Sequence, residues 1–199
     1  FHAQCHGIWQ QELESRGVTH MFHDPFAWFG DRAAFKGFWI NLKFLPSTTR
    51  LQPGMPVILD IAPIVDGYSA DIGYCFVHGG DPLVDAMDRT LLQVRDHILQ
   101  AVRAGKTMRA IYQEVDALVE AAGFVNVHRY YPHRVIGHRL GRMRLSALHQ
   151  LRWLGFGLPT YVELTSRTWL SKAFPRWIES PLWNDGRECD HPVREGVWA

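Results

Sequence analysis

The sequence predicts an α+β fold, in which helices cover a sheet built from neighbouring strands. Three observations predict it. A hairpin pattern runs from Val57 to Phe76, helical spacing with end signals runs from Leu83 to Ala122, and a shorter helical stretch runs from Ala3 to Arg16. A single domain over residues 1–199 is the default for this length, and such a chain can bury a substantial core without disulfides.

The first part of the chain is predicted to be one helix followed by extended segments. The helix over Ala3–Arg16 is closed by Gly17, which serves as its C-cap. Val18–Gly30 and Phe35–Leu45 are aromatic and β-branched, and turn-forming residues such as Asp24-Pro25 interrupt them. These two stretches are therefore predicted to be strands or extended connections.

A β-hairpin is predicted next. Val57–Val65 is rich in β-branched and apolar residues, and Tyr68–Val77 resumes an extended pattern. Asp66-Gly67 lies between them and is a strong signal for a two-residue turn. Such a turn fixes the register, because every residue before it then faces a defined partner after it.

Two aspartates in this hairpin are candidate metal ligands. The register places Asp60 opposite Gly73 and Ala62 opposite Asp71, so both carboxylates lie on one face, with β-carbons roughly 7–8 Å apart or somewhat less. Asp60 follows an apolar run, where an unpaired carboxylate carries a large desolvation cost. Hard oxygen ligands on a rigid hairpin suit manganese, iron, cobalt or zinc in a hydrolytic site. The alternative is that neither aspartate binds a metal. Asp60 would then be an acid at a strand end, and Asp71 a hydrogen-bonded polar residue on a solvated face.

Two helices and a strand are predicted after the hairpin. The first helix, Leu83–Ala104, comes directly after a proline that suits a helix start. Thr107 caps the second helix, Met108–Ala122, and a glycine follows each helix. Phe124–Tyr131 then alternates as a strand that leads toward His138. Glycine before this histidine allows the close backbone approach that a buried metal site often needs.

The overall charge excludes two kinds of partner. The formal net charge is +1, and the 21 basic residues form no long run, so neither nucleic acid nor an acidic membrane surface is expected. The three cysteines are widely spaced, which fits reduced thiols in the cytoplasm. No signal peptide or membrane span is apparent in the sequence, and we expect a small-molecule or short-peptide partner.

Two motifs resemble those of a known family, the pita-bread metallopeptidases, which include methionine aminopeptidase, aminopeptidase P, prolidase and creatinase. PGMPVILDIAPIVDGYSADIGYCF is similar to the family hairpin, whose two metal-ligand aspartates are eleven residues apart, as Asp60 and Asp71 are. GHRLG at Gly137–Gly141 resembles the next motif, whose histidine is a metal ligand, here His138. The resemblance, which covers roughly Asp60 to Gly141, implies a pita-bread fold with a curved antiparallel sheet flanked by helices. It also implies two divalent metal ions: manganese, cobalt, zinc or iron.

The sequence departs from this family at its substrate histidines. The peptidases carry one a little under twenty residues before the first aspartate, where this chain has Leu42 and Lys43. His23 lies further upstream and is either a substrate contact or a structural or surface histidine. A second family histidine follows the metal-binding one by seven residues, where this chain has Leu145, and the nearby His149 is out of register.

The family's glutamate ligands are a further departure. The resemblance implies five ligands in the order Asp, Asp, His, Glu, Glu, and only the first three have recognisable counterparts. Glu163, predicted to lie on a strand, is the fallback within the chain, and His133 is a candidate substrate contact. The final run HPVREGVWA resembles the approach to the first family glutamate. We therefore expect a natural product that is longer than this chain at both ends, with a glutamate shortly after Ala199.

An aromatic-rich insertion is predicted at about residues 151–183. It carries Trp153, Trp169, Trp177 and Trp183 among glycine, proline and arginine residues. So much aromatic surface must be buried somewhere. The segment is expected to form a lid, a wall of the specificity pocket or a subunit contact such as that of a homodimer. A small second core is the alternative.

The resemblance implies metal-assisted hydrolysis. Asp60 and Asp71 would hold or bridge the ions, His138 would bind one of them, and bridging hydroxide would attack an amide carbon. An Xaa-Pro aminopeptidase-like enzyme is the leading expectation. The absent substrate histidines favour a rival, a creatinase-like C–N hydrolase or a metal-dependent lyase. A catalytically silent pita-bread binding domain is the third alternative.

Overall fold

The computed structural model describes residues 2–34, 48–127, 134–139, 142, 152–153 and 156–193. The chain divides into two compact units. The first, here called the hairpin unit, comprises Phe1–Asp81 and Gly141–Val162, and the second, the helical unit, comprises Pro82–Leu140 and Glu163–Ala199. The expectation of one domain over residues 1–199 stays a prediction.

The hairpin unit contains one helix and small antiparallel sheets. The elements are α1 (His2–Ser15), β1 (His20–Met21), β2 (Phe26–Phe29), β3 (Pro56–Ile61), β4 (Pro63–Val65), β5 (Tyr68–Ser69), β6 (Ile72–Val77), β8 (Arg152–Trp153) and β9 (Phe156–Gly157). Strand β3 is central in one sheet, between β2 and β6, and β4 is central in another, between β1 and β5. The strands β8 and β9 pair with each other.

The predicted hairpin and its register are confirmed. Val65 pairs with Tyr68 beside the turn, and Asp60 pairs with Gly73 further along, so one register runs through the whole hairpin. The turn residues Asp66 and Gly67 have φ angles of 52° and 85°. Positive φ at both central residues defines the type I′ turn, whose twist matches that of the flanking strands.

The helical unit is built around a pair of helices. Its elements are α2 (Pro82–Arg103), α3 (Met108–Ala121), β7 (Gly137–His138) and β10 (Leu182–Trp183), while α4 (Leu158–Ala173) crosses the boundary between the two ranges. The side chain of Thr107 accepts a hydrogen bond from the backbone N–H of Ala110, which confirms the predicted cap. The core of this unit consists of Val94, Ala101, Met108, Ile111, Val115, Trp183 and Cys189.

Two strand predictions are wrong where the structure describes them. Residues 124–127 form no strand. The Asn126 side chain donates a hydrogen bond to Asp116, so this stretch is bonded to α3 and not to a neighbouring strand. Glu163 lies in α4 rather than on a strand. Pro159 in the first turn suits a helix start, and Glu163 and Arg167 have the i,i+4 spacing that supports helices. Of the predicted extended stretch Phe35–Leu45, nothing lies within the described residues.

The aromatic-rich segment 151–183 includes both buried and exposed side chains. Trp183 belongs to the core of the helical unit, whereas Trp169 and Trp177 are 70% and 85% exposed. Its role as a lid, a specificity wall, a subunit contact or a second core stays a prediction. None of the helices among the described residues is both long enough and apolar enough to cross a membrane.

Candidate metal centre

Asp60 lies near the end of the central strand of its sheet. It pairs with Phe26 of β2 on one side and with Gly73 of β6 on the other. This double pairing fixes the backbone position of Asp60, and its side chain is 25% exposed. A half-buried carboxylate on a central strand needs a compensating partner.

Asp71 faces the same region from the return strand. It immediately precedes β6, between Ala70, whose N–H donates to the carbonyl of Pro63, and Ile72, which pairs with Ile61. The register therefore sets Asp71 opposite Ala62, as predicted. Its side chain is 41% exposed, so Asp71 is the more solvated of the two acids and Asp60 the more buried.

His23 is brought to the two aspartates by a third segment of chain. Phe22 donates its backbone N–H to the carbonyl of Ala62 at 2.8 Å, and β2 begins at Phe26, the partner of Asp60. The intervening His23 is held where these two pairings meet. It is only 4% exposed, so a surface position is wrong, whereas a structural role and a substrate contact stay predictions.

The imidazole of His23 contacts both carboxylates. Its Nε2 lies 3.6 Å from Asp60 Oδ1 and 3.9 Å from Asp71 Oδ1. Its Nδ1 lies 2.8 Å from the carbonyl oxygen of Asp24. A carbonyl can only accept a hydrogen bond, so Nδ1 carries a proton and Nε2 is the nitrogen directed at the acids. The ring also stacks on Phe26, with 5.0 Å between centroids.

Burial and the mutual charges of these residues shift their pKa values. Burial raises the pKa of Asp60 to about 6, the positive charge of His23 opposes that rise, and the negative charge of Asp71 adds to it. Burial lowers the pKa of His23, but a hydrogen bond to Asp71 and the charge of Asp60 outweigh it, and the net direction is upward. The two acids and the imidazole thus form an electrostatically coupled cluster.

This cluster has the donor set of a metal site. One ligand atom from each of His23, Asp60 and Asp71 can be chosen so that all lie within 4.8 Å of one another. Carboxylate oxygens and an imidazole nitrogen together suit manganese, iron, cobalt and zinc. A divalent ion would also offset the two causes that raise the pKa of Asp60, which are burial and, to a smaller extent, repulsion by Asp71. The residues present therefore fit a divalent cation.

The other predicted site residues belong to the helical unit or lie outside the described residues. His138 is half-buried in β7 of the helical unit, where it pairs with Leu182 of β10. Glu163 is exposed on α4, and its carboxylate lies 3.7 Å from Arg167. Positions 42, 43, 133, 145 and 149, which include the candidate His133, lie outside the described residues.

The sequence gives little indication that His23 lies beside the two aspartates. The histidine lies 37 residues before Asp60, far from the position where the family carries its substrate histidine. One local signal was available, because His23 directly precedes a turn and the buried strand β2. That signal indicates burial, but only the pairing of β2 with β3 shows which residues the histidine meets.

The fold and the cluster define an α+β protein with a hairpin site able to hold a divalent cation. The profile of metallopeptidase family M24 matches residues 2–154, and the chain belongs to this family. The family resemblance inferred from the two motifs is thereby confirmed.

Curated relatives support the same grouping. The Bacillus subtilis protein named "Putative dipeptidase YkvY" is 28% identical over 133 residues, which are 66% of this chain and 34% of that protein. An uncharacterized peptidase of Staphylococcus epidermidis is 27% identical over 134 residues, or 66% of this chain and 35% of its own length. The aligned part thus spans about a third of the length of these relatives.

Two solved structures show the fold. The X-Pro aminopeptidase of Thermotoga maritima superimposes with a TM-score of 0.56 at 17% identity, over 71% of this chain and 38% of that one. A dipeptidase of Pyrococcus horikoshii gives a TM-score of 0.53 at 21% identity, over 74% of this chain and 38% of its own. The pita-bread α+β fold is therefore confirmed.

Proposed function

We propose that this protein is a metal-dependent hydrolase of short peptides, most closely an Xaa-Pro aminopeptidase-like enzyme with two divalent metal ions. The observation that carries the proposal is that Asp60 and Asp71 lie close together on one face of a hairpin, in a chain of metallopeptidase family M24. Manganese, cobalt, zinc and iron are the ions that suit the donors. Bound ions of this kind supply hydroxide from water near neutral pH and polarise a carbonyl oxygen.

Each residue of the proposed centre has its own part. Asp60, fixed between two strands, provides a carboxylate that gains stabilisation when a cation replaces solvent. Asp71 is more exposed than Asp60, and its carboxylate would share the ions with that of Asp60. By family resemblance His138 would complete the ligand set of one ion. By the same resemblance, two glutamates would supply further negative charge.

The names of similar proteins support a peptide substrate. One relative is named as a dipeptidase, and the two superimposed structures are an X-Pro aminopeptidase and a dipeptidase. Because the chain aligns with only about a third of the relatives' length, the activity of the whole protein belongs to this proposal. We also propose a cytoplasmic location, since three widely spaced cysteines suit reduced thiols better than a disulfide framework.

A second candidate function keeps the metal but changes the reaction. Leu145 stands where the family's peptidases have a histidine that steadies the reacting carbonyl, and Leu42 and Lys43 stand where another is expected. These differences favour a creatinase-like C–N hydrolase or a metal-dependent lyase. Absence of bound metal would favour a binding domain without catalysis.

The test uses the complete natural gene product. Elemental analysis gives its metal content, and a panel of Xaa-Pro and other dipeptides is compared with small amidines and sulfonium compounds. We expect bound transition metal and cleavage within the peptide set, and loss of both in Asp60→Asn and Asp71→Asn. Asp66→Asn is the matched control, because it makes the same chemical change at the exposed turn of the same hairpin, where asparagine tolerates positive φ.

Three outcomes have distinct meanings. Cleavage confined to the amidine or sulfonium set would replace the peptidase proposal with the second candidate. A protein without metal and without turnover would overturn both. Full metal occupancy in Asp60→Asn and Asp71→Asn would show that the centre lies elsewhere.

A further inference from the structure

We infer that His23 is a metal ligand through its Nε2 atom, and that with Asp60 and Asp71 it forms a three-ligand site for one transition-metal dication within the hairpin unit. The ligand order implied by the family resemblance, Asp, Asp, His, Glu, Glu, contains no histidine before the first aspartate. The inference rests on the proposed metal centre, and it does not depend on which substrate the protein takes.

The distances between donor atoms suit a single ion. Metal–ligand bonds to imidazole nitrogen and carboxylate oxygen are about 2.0–2.2 Å, so two ligands of one ion lie at most about 4.4 Å apart. His23 Nε2 is 3.6 Å from Asp60 Oδ1 and 3.9 Å from Asp71 Oδ1. One ligand atom from each residue can be chosen so that all three lie within 4.8 Å of one another. Ligands at tetrahedral angles on one ion lie about 3.4 Å apart, so closure around an ion requires movements of up to about 1 Å.

The backbone already sets the orientation that a ligand histidine needs. The Nδ1–H of His23 donates to the carbonyl of Asp24 at 2.8 Å, which fixes the tautomer and turns Nε2 toward the acids. Metal-binding histidines almost always donate their other ring N–H to a carbonyl, a carboxylate or water in this way. A histidine that only filled space would not require Nε2 to face two carboxylates.

The packing around His23 makes this orientation rigid. The ring is almost fully buried and stacks on Phe26, with an interplanar angle of 22°. The chain is held on both sides, by the pairing of β1 with β4 and of β2 with β3. A ligand fixed in its bound geometry loses little conformational entropy when the ion binds. The nitrogen donor also favours transition metals over magnesium and calcium, which prefer oxygen ligands.

A structural role is the alternative. His23 could act only as a cation that offsets the charges of Asp60 and Asp71. In that case its replacement would remove a competitor for the acids, and metal affinity would stay constant or rise. If His23 is a ligand, its replacement must weaken binding. The two roles therefore predict different results in the same measurement.

The experiment measures cobalt binding to the complete protein by competition with a chromophoric chelator. His23→Gln, which is neutral and close in size, should weaken binding by more than about 100-fold, beyond the 10–100-fold typical of losing an outer-sphere partner. His20→Gln is the matched control, because His20 lies on β1 and bonds to the neighbouring Thr19 side chain instead of to the acids. That control should bind cobalt as the unmodified protein does.

A second readout identifies the ligand directly. Proton spectra of the cobalt-loaded protein show a hyperfine-shifted exchangeable signal for each bound imidazole N–H, and the Nδ1–H of His23 should give one. The signal should vanish in His23→Gln and persist in His20→Gln. If His23→Gln is unfolded, His23→Ala replaces it in both measurements, with its folding checked by circular dichroism.

The failures are distinguishable. Unchanged cobalt affinity and an unchanged set of shifted signals in the His23 variants would overturn the ligand role and leave the proposed centre of Asp60 and Asp71 standing. No cobalt binding by the unmodified protein would overturn both. Peptide cleavage plays no part in either measurement, so an error in the proposed substrate does not affect the result.

Discussion

Replacement of Asp60 by asparagine should stabilise the metal-free protein while it abolishes metal binding. Burial holds the pKa of Asp60 at about 6, above its ordinary value of 3.8. A carboxyl with a raised pKa in the folded state binds its proton more tightly when folded. Its contribution to stability is therefore fully present below about pH 4 and is lost as the pH rises through 6. Asparagine resembles the protonated form at every pH.

The magnitude follows from the size of the shift. The difference between about 6 and 3.8 is about two pKa units, and each unit corresponds to 1.36 kcal/mol, which gives about 3 kcal/mol at pH 7.5 as an upper bound. The attraction of His23 is already included in this shift. We expect the free energy of unfolding of Asp60→Asn to exceed that of the unmodified protein by about 1–3 kcal/mol at pH 7.5.

The assay is urea unfolding in the presence of a chelator, at pH 7.5 and again near pH 4. The gain should be present at the higher pH and absent at the lower one, where Asp60 is protonated in the unmodified protein too. Asp66→Asn should change stability by less than about 0.5 kcal/mol at either pH, because its side chain is exposed at the turn. A loss of stability at pH 7.5, or an equal gain at both pH values, would refute the electrostatic reasoning.

Two further predictions concern the helical unit. Trp183→Phe should lower the free energy of unfolding by about 1–3 kcal/mol, because it removes a buried 2.6 Å hydrogen bond from the indole N–H to the Met108 carbonyl. Urea unfolding measures this loss, and Trp169→Phe, which alters an exposed ring, is the control. Equal losses of stability in the two variants would contradict the reasoning. Burial raises the pKa of Cys189 to about 11, so maleimide at pH 8 should label exposed Cys75 well before Cys189, as measured by peptide mass spectrometry. Labelling at equal rates in the native protein would show that Cys189 is accessible.

The hairpin was predictable because its determinants are local. Asp66 and Gly67 adopt positive φ angles that favour this dipeptide, and a two-residue turn leaves only one register for the strands beside it. The shared face of Asp60 and Asp71 then follows from the alternation of side chains along each strand. No contact distant in sequence is needed for this part of the site.

The place of His23 could not be predicted from the same kind of signal. It depends on β2 pairing with β3, which brings together residues more than thirty positions apart. The wrong strand at Glu163 has a related cause. The short run YVELT is compatible with a strand, but it lies inside a sixteen-residue helix, and the longer segment determines its conformation.

The charges of the cluster bear on how many ions the hairpin can hold. Two ionised carboxylates, Asp60 and Asp71, balance one divalent cation, and a neutral His23 adds a donor without adding charge. A second dication beside the first would bring two positive charges that these residues cannot offset. Further anionic ligands are therefore required for a second ion, and the two glutamates implied by the family resemblance would provide them. The charges of the hairpin cluster would thus balance one ion of the proposed pair, and the second would depend on further acids.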